Sequence, residues 1–140
     1  MTSIRFYANA QDRIQTAAAW IAASWHEHPV LVFAPDLEVA ERLYRALWIL
    51  PATGFLPHCR ANSPLAVETP VLIADQLDSL PQDRCLLNLS NEVPPGFSRF
   101  ELLVEIVSTD DSNRLPARER FRFYRERGYA IENHNVTGGF

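Results

Sequence analysis

The sequence predicts an α/β domain in three layers: a mixed, mainly parallel sheet with helices on both faces. Three observations carry that prediction. The runs Val30-Leu31-Val32-Phe33-Ala34, Val71-Leu72-Ile73-Ala74 and Cys85-Leu86-Leu87-Asn88-Leu89 are almost continuously apolar, as strands covered on both faces are. Other segments carry their apolar residues at helical spacing. The two patterns alternate along the chain, which is the mark of strand–helix–strand units.

Taken in order, Ile4 to Ala8 is short, apolar and β-prone, and reads as the first strand. From Gln11 to about Glu27, Ile14, Ala17, Ala18, Ile21, Ala22 and Trp25 line one side of a helix that packs on the sheet. Pro29 introduces the strand Val30 to Ala34. Asp36 is placed to cap a second helix, Leu37 to about Leu50, with Glu38 and Glu41 where the helix dipole favours acids, and Pro51 ends it. Residues 51–100 hold apolar strands but no evident helix of ten residues or more, so the connections there should be irregular and the sheet not purely parallel. Pro94-Pro95-Gly96 marks a turn, and Phe100 to Val107 reads as the longest strand. Asp110-Asp111-Ser112 can cap a last helix, which Gly128 closes, and Tyr129 to Asn133 can add a final strand.

At 140 residues the chain fits one domain over residues 1–136, followed by a short tail, 137–140. A domain of that size buries about two thirds of the surface its unfolded chain exposes. No apolar run approaches the roughly 20 residues that span a bilayer. The opening MTSIRFYANAQD has no apolar leader core, and Cys59 and Cys85 are isolated, so a cytoplasmic protein with free thiols is expected. All thirteen basic residues are arginine. The absence of lysine excludes Schiff-base and P-loop chemistry.

A Rossmann-like pattern prompts a search for a nucleotide site, and the glycines answer it. None of the five lies between the first strand and the first helix, where a dinucleotide fingerprint must bring backbone close to a pyrophosphate. The turn there is Asn9-Ala10-Gln11-Asp12. His26 and His28 are two apart and diverge, His58 adjoins Cys59, and no set has metal-ligand spacing. Asp110 and Asp111 are better explained as helix caps than as a catalytic pair, and no nucleophile elbow exists. No cofactor, metal or catalytic constellation is expected, and the chain reads as a non-enzyme.

Binding information concentrates in Asn113 to Tyr129, NRLPARERFRFYRERGY. It carries six arginines against Glu119 and Glu126, a net +4, while the remaining seven arginines and fifteen carboxylates leave the rest of the chain at −8. That is a local patch on an acidic body. On a wheel of ~100° per residue, Arg114, Arg118 and Arg125 fall in a stripe of ~40° with Phe121 beside them. Ala117, Tyr124 and Gly128 form the adjoining face, which should pack on the sheet. Guanidinium groups beside a ring suit a ligand carrying both a carboxylate and an apolar group. The competing reading is a solvated face of ion pairs such as Glu119–Arg122 and Arg122–Glu126. A second anomaly is the apolar stretch Leu47 to His58, where Trp48 and Phe55 either form an exposed aromatic patch for a partner or fill the core under a long loop.

At these residues the chain resembles the chi subunit family of bacterial DNA polymerase III, an accessory component of the clamp loader. The resemblance runs end to end. It rests on Phe6-Tyr7, on Ala46-Leu47-Trp48 with Pro51 and Phe55-Leu56-Pro57-His58, and on the strands at Pro70 to Ile73 and Leu86 to Leu89. Glu105-Ile106-Val107 and Ala117 to Arg125 with Gly128-Tyr129 complete it. It implies a Rossmann-like fold without catalysis and with two binding surfaces. On the first, Arg118 would take the terminal carboxylate of the acidic tail of single-stranded DNA-binding protein, with Arg114, Phe121, Val107 and Arg125 shaping the pocket. On the second, Trp48, Phe55 and Pro57 would dock the psi subunit of the clamp loader, or a repair helicase competing for the same surface. DNA would be reached only indirectly. Phe121 stands where the family often has tyrosine, and Arg114 where lysine is common. Direct single-strand binding by the arginine helix is the alternative, although a body at −8 repels phosphate. A small-molecule enzyme would rest on fold alone.

Overall fold

The computed structural model describes residues 2–49, 57–61, 63, 66, 69–77 and 83–136. The elements run β1 (Ser3–Ala10), α1 (Arg13–Ser24), β2 (Val30–Phe33), α2 (Leu37–Ile49), β3 (His58–Arg60) and β4 (Val71–Ala74). They continue through β5 (Cys85–Asn88), a 3-10 turn (Phe97–Arg99), β6 (Leu102–Ser108), α3 (Asp111–Glu126) and β7 (Ile131–Asn135). The seven strands form one sheet in the order β3-β4-β2-β5-β6-β1-β7.

Every pairing is parallel, so the expected mixed sheet is corrected. A connection without a helix does not by itself require antiparallel pairing: β4 enters alongside β3 in the same direction, with His58 opposite Val71 and Arg60 opposite Ile73. β1, at 8 residues, is also longer than the 7 of β6, the reverse of the sequence expectation.

Side chains alternate across the sheet as the pleat requires. Tyr7, Val30, Val32, Leu87, Val104 and Ile106 point to the layer of α1 and α2. Ile4, Phe6, Leu31, Phe33, Leu103 and Val107 point to the layer of α3. β2, β4 and β5 are buried along their whole length, which is why their sequences are almost continuously apolar. A bulge between Tyr7 and Ala10, with Asn9 at φ 67°, returns Ala10 to the Tyr7 face before α1 begins.

The cap of α2 follows the sequence reading, while α1 is capped by Asp12, which the sequence reading placed only in the turn before it. Asp12 Oδ1 accepts from the Ile14 and Gln15 amides at 3.0 and 3.1 Å. Asp36 Oδ1 accepts from the Glu38 amide at 2.9 Å. At α3 the Asp110 side chain makes no bond to the helix backbone. The start of that helix is held instead by Asn113, whose Oδ1 accepts from the Ser108 amide at 2.7 Å and whose Nδ2 donates to Asn91 Oδ1 at 3.1 Å. Pro116 removes one helical amide, and Asn91 Nδ2 donates to the corresponding carbonyl of Ser112 at 3.5 Å. Among the described residues, no helix is long and apolar enough to cross a membrane.

Candidate functional site

α3 is amphipathic in an unusual way, because one of its arginines faces inward. Glu105 lies mid-strand in the otherwise apolar β6 and is fully buried. Its Oε2 accepts from Arg120 Nε at 3.1 Å, Tyr124 Oη at 2.7 Å and Asn88 Nδ2 at 3.0 Å, while Oε1 accepts from Arg120 Nη2 at 3.1 Å. A buried carboxylate is tolerable only with this kind of satisfaction. Burial, helped by the Glu105 charge and hydrogen bond, raises the pKa of the Tyr124 phenol, so it stays a donor. Arg120 Nη1 is buried and has no hydrogen-bond partner among the described residues.

The remaining arginines of α3, with Arg127 just past its end, divide sharply. Arg114 Nε pairs with Asp111 at 3.1 Å, and Arg122 with Glu119 at 3.5 Å. Arg125 lies 6.0 Å from the centre of the Phe121 ring, and Arg127 only 3.6 Å from that of Phe123. Arg118 is exposed and has neither ion pair nor hydrogen bond among the described residues. Phe121, half-buried, packs edge-on against Phe6 at 5.2 Å and belongs to the same core cluster as Val107 and Ala117. Arg114, Arg118, Phe121 and Arg125 follow one another at helical spacings of three and four, so they share an edge.

Ala117 and Tyr124 pack inward as the wheel predicts, but Gly128 is exposed rather than packed. The wheel does not extend that far. α3 ends at Glu126, and Gly128 at φ 83° turns the chain away, with the Gly128 amide donating to Arg125 O and the Tyr129 amide to Tyr124 O. The inward Arg120 is the residue that sequence reasoning missed. The available signal was Glu105, a lone carboxylate in an apolar strand that required a cation.

At the end of α2, Leu47 is buried while Trp48 is 52% exposed and Ile49 79%. Trp48 meets the rings of Tyr44 and His58 edge-on, at 6.3 and 4.8 Å. Pro57 is half-buried beside them in sequence, and Phe55 lies outside the described residues, as do Leu50, Pro51 and the tail 137–140.

The carboxyl ends of the strands, where α/β folds hold their ligands, form a crevice of about 410 Å³. Arg13 plugs its floor. Nε donates to Ile106 O at 2.8 Å, and Nη2 to Ser90 O at 2.8 Å and Asn88 O at 3.2 Å. Burial lowers its pKa to about 10, against the attraction of Glu105, so it remains charged at neutral pH. Among the described residues, no group of three histidines, cysteines or carboxylates could hold a metal ion.

The family model of the DNA polymerase III chi subunit, HolC, matches residues 1–132. The chi subunit of Pseudomonas aeruginosa PAO1 is 30% identical over 97% of this chain and 98% of its own length. That of Escherichia coli K12 is 35% identical over 73% of this chain and 70% of its own. The Haemophilus influenzae Rd protein of the same name is 30% identical over 74% and 69%. With its α/β fold and its match over nearly the whole length, this chain belongs to the DNA polymerase III chi subunit family, and its role is an accessory one in DNA replication.

Proposed function

We propose that this chain is a non-catalytic linker that binds the acidic C-terminal tail of single-stranded DNA-binding protein through the outer edge of α3. One observation carries the proposal. Of the six arginines in the helical run, Arg118 alone has an unengaged guanidinium among the described residues, and it shares a helical edge with Phe121, which packs in one cluster with Val107. A chain end with an apolar residue and a free carboxylate has the two groups this edge can receive. An exposed ion pair contributes at most about 1 kcal/mol. Affinity therefore depends on the guanidinium fork acting together with apolar burial against Phe121.

The same census disfavours direct single-strand binding. Three arginines of α3 are paired with carboxylates, and Arg125 and Arg127 lie over rings, so few free charges face outward for phosphates. A non-catalytic role is favoured by Arg13, whose donors are satisfied by strand-end carbonyls where an enzyme of this architecture would keep free groups for a ligand. The exposed Trp48 and Ile49, backed by Tyr44 and His58, are the surface we assign to the psi subunit or a competing repair helicase.

The test is Arg118→Ala. Once apolar burial against Phe121 takes the pair out of water, losing its charge-assisted hydrogen bond costs about 1.5–3 kcal/mol, so tail affinity should fall at least tenfold in fluorescence anisotropy with a labelled tail peptide. The variant's circular dichroism should match that of the parent. Unchanged affinity in a folded variant removes Arg118 from the site.

A further inference from the structure

We infer that Glu105 and Arg120, which no tail ligand would touch, are positioning residues: together they set the roll and register of α3 on the sheet, and so the placement of Arg118 and Phe121. The inference rests on the tail-binding reading above.

The contact between α3 and the sheet is otherwise mostly apolar. Phe6 meets Phe121 at 5.2 Å, and Phe97 meets Tyr124 at 5.2 Å, within a cluster of Ile4, Leu103, Val107 and Ala117. Apolar burial is non-directional, so such a contact tolerates rolling and sliding of the helix. The polar tethers are directional: two of them join the first turn of α3 to Asn91 in the loop after β5, and the others reach β6. Asn113 Oδ1 holds the first turn of α3 to the Ser108 amide at 2.7 Å. Arg120 grips Glu105 with two parallel bonds of 3.1 Å, and Tyr124, one turn further on, donates to the same carboxylate at 2.7 Å. A planar fork on a planar carboxylate fixes angle as well as distance. Asn88, on the neighbouring β5, holds that carboxylate from the side at 3.0 Å.

This arrangement is better suited to fixing geometry than to adding stability. Both charges are desolvated, and Arg120 Nη1 is buried without a partner among the described residues. A buried pair of this kind is often replaceable by apolar residues without loss of stability. The directional constraint would be lost in that replacement. A roll of roughly 20° carries groups about 5 Å from the helix axis by about 2 Å, enough to break a hydrogen bond made by Arg118.

The test is the triple variant Glu105→Leu, Arg120→Met, Tyr124→Phe. It removes both charges and the phenol that would lose its acceptor, while Asn88 Nδ2 keeps Glu92 O at 3.0 Å. Calorimetry with the free-acid tail peptide separates the fraction of competent protein, read as stoichiometry, from Kd. The expected result is parental stoichiometry and urea midpoint, a Kd raised at least tenfold, and a reduced preference for free-acid over amidated peptide. A merely destabilised protein would lose stoichiometry and keep its Kd. Parental Kd and preference in the folded triple variant overturn the inference. Should the triple variant not fold, Arg120→Lys keeps the charge but replaces the fork with a single ammonium. A Kd raised about threefold or more is expected there, and an unchanged Kd overturns the inference equally. Nuclear Overhauser contacts between the Phe6 and Phe121 rings, recorded without peptide, report the roll of the helix directly. If the parent protein binds no tail but these contacts shift in the variants, the tail reading fails while Glu105 and Arg120 still set the helix. If they are unchanged, the positioning role fails.

Discussion

Replacing Glu105 by glutamine removes one charge from a site that has no access to water. Glu105 is 0% exposed and Arg120 2%, so the guanidinium would be left buried and uncompensated. Breaking a buried pair in this way typically destabilises by about 3–5 kcal/mol. The new amide worsens the outcome, because its NH2 would face the donors of Arg120, Tyr124 or Asn88 that now bond to a carboxylate oxygen. A loss of about 4 kcal/mol is a large part of a domain stability of about 5–15 kcal/mol. Urea unfolding followed by tryptophan fluorescence measures it. At a slope of about 2 kcal/mol/M, the midpoint should fall by about 2 M with the slope unchanged. A fall of less than about 0.5 M at unchanged slope would refute the reasoning, since it would mean that Arg120 does not depend on the Glu105 charge.

Two further outcomes follow from local features. Burial pushes the Cys85 thiol from 9.0 up to about 12, so it stays protonated in the fold while the unfolded chain ionises. A raised pKa contributes stability that is intact below pH 9 and declines towards pH 12, at most about 1.4 kcal/mol per pH unit. With no lysine in the chain, Cys85→Ala should flatten the pH dependence of the urea midpoint between pH 9 and 10; a parental slope in that variant contradicts the assignment. At Gly128, φ is +83° and an added Cβ meets nothing within 4 Å, so Gly128→Ala is a test of backbone strain alone. It should cost about 1 kcal/mol and lower the melting temperature by about 3 °C, and an unchanged melting curve would contradict that.

Most of the fold was legible because burial on both faces of a parallel sheet demands continuous apolar strands, and β2, β4 and β5 have them. The cap at Asp36 was legible for an equally local reason. That the sheet is parallel throughout, rather than mainly so, was not legible, because it depends on where an irregular connection ends, and nothing in the sequence of residues 61–70 encodes that at short range. Trp20 was absent from the predicted buried face of α1, yet it is 4% exposed with Nε1 donating to Tyr7 Oη at 3.2 Å. That contact is thirteen residues away and invisible to periodicity. On α3 the wheel found the outer edge but treated its arginines as equivalent. What distinguishes Arg118 from Arg120 is a carboxylate on another strand, fifteen residues earlier. Charge runs can be read from sequence, whereas which charges are already neutralised in the fold cannot.

The account turns on whether the free guanidinium of Arg118 recognises a chain end. The most direct measurement is calorimetric titration of the protein with a ten-residue peptide copying the tail of the host's single-stranded DNA-binding protein, as the free acid and as the C-terminal amide. The prediction is a one-to-one complex with the free acid, weakened by salt, and a loss of at least about tenfold on amidation. Equal affinity for the two peptides, or binding of neither, would contradict it.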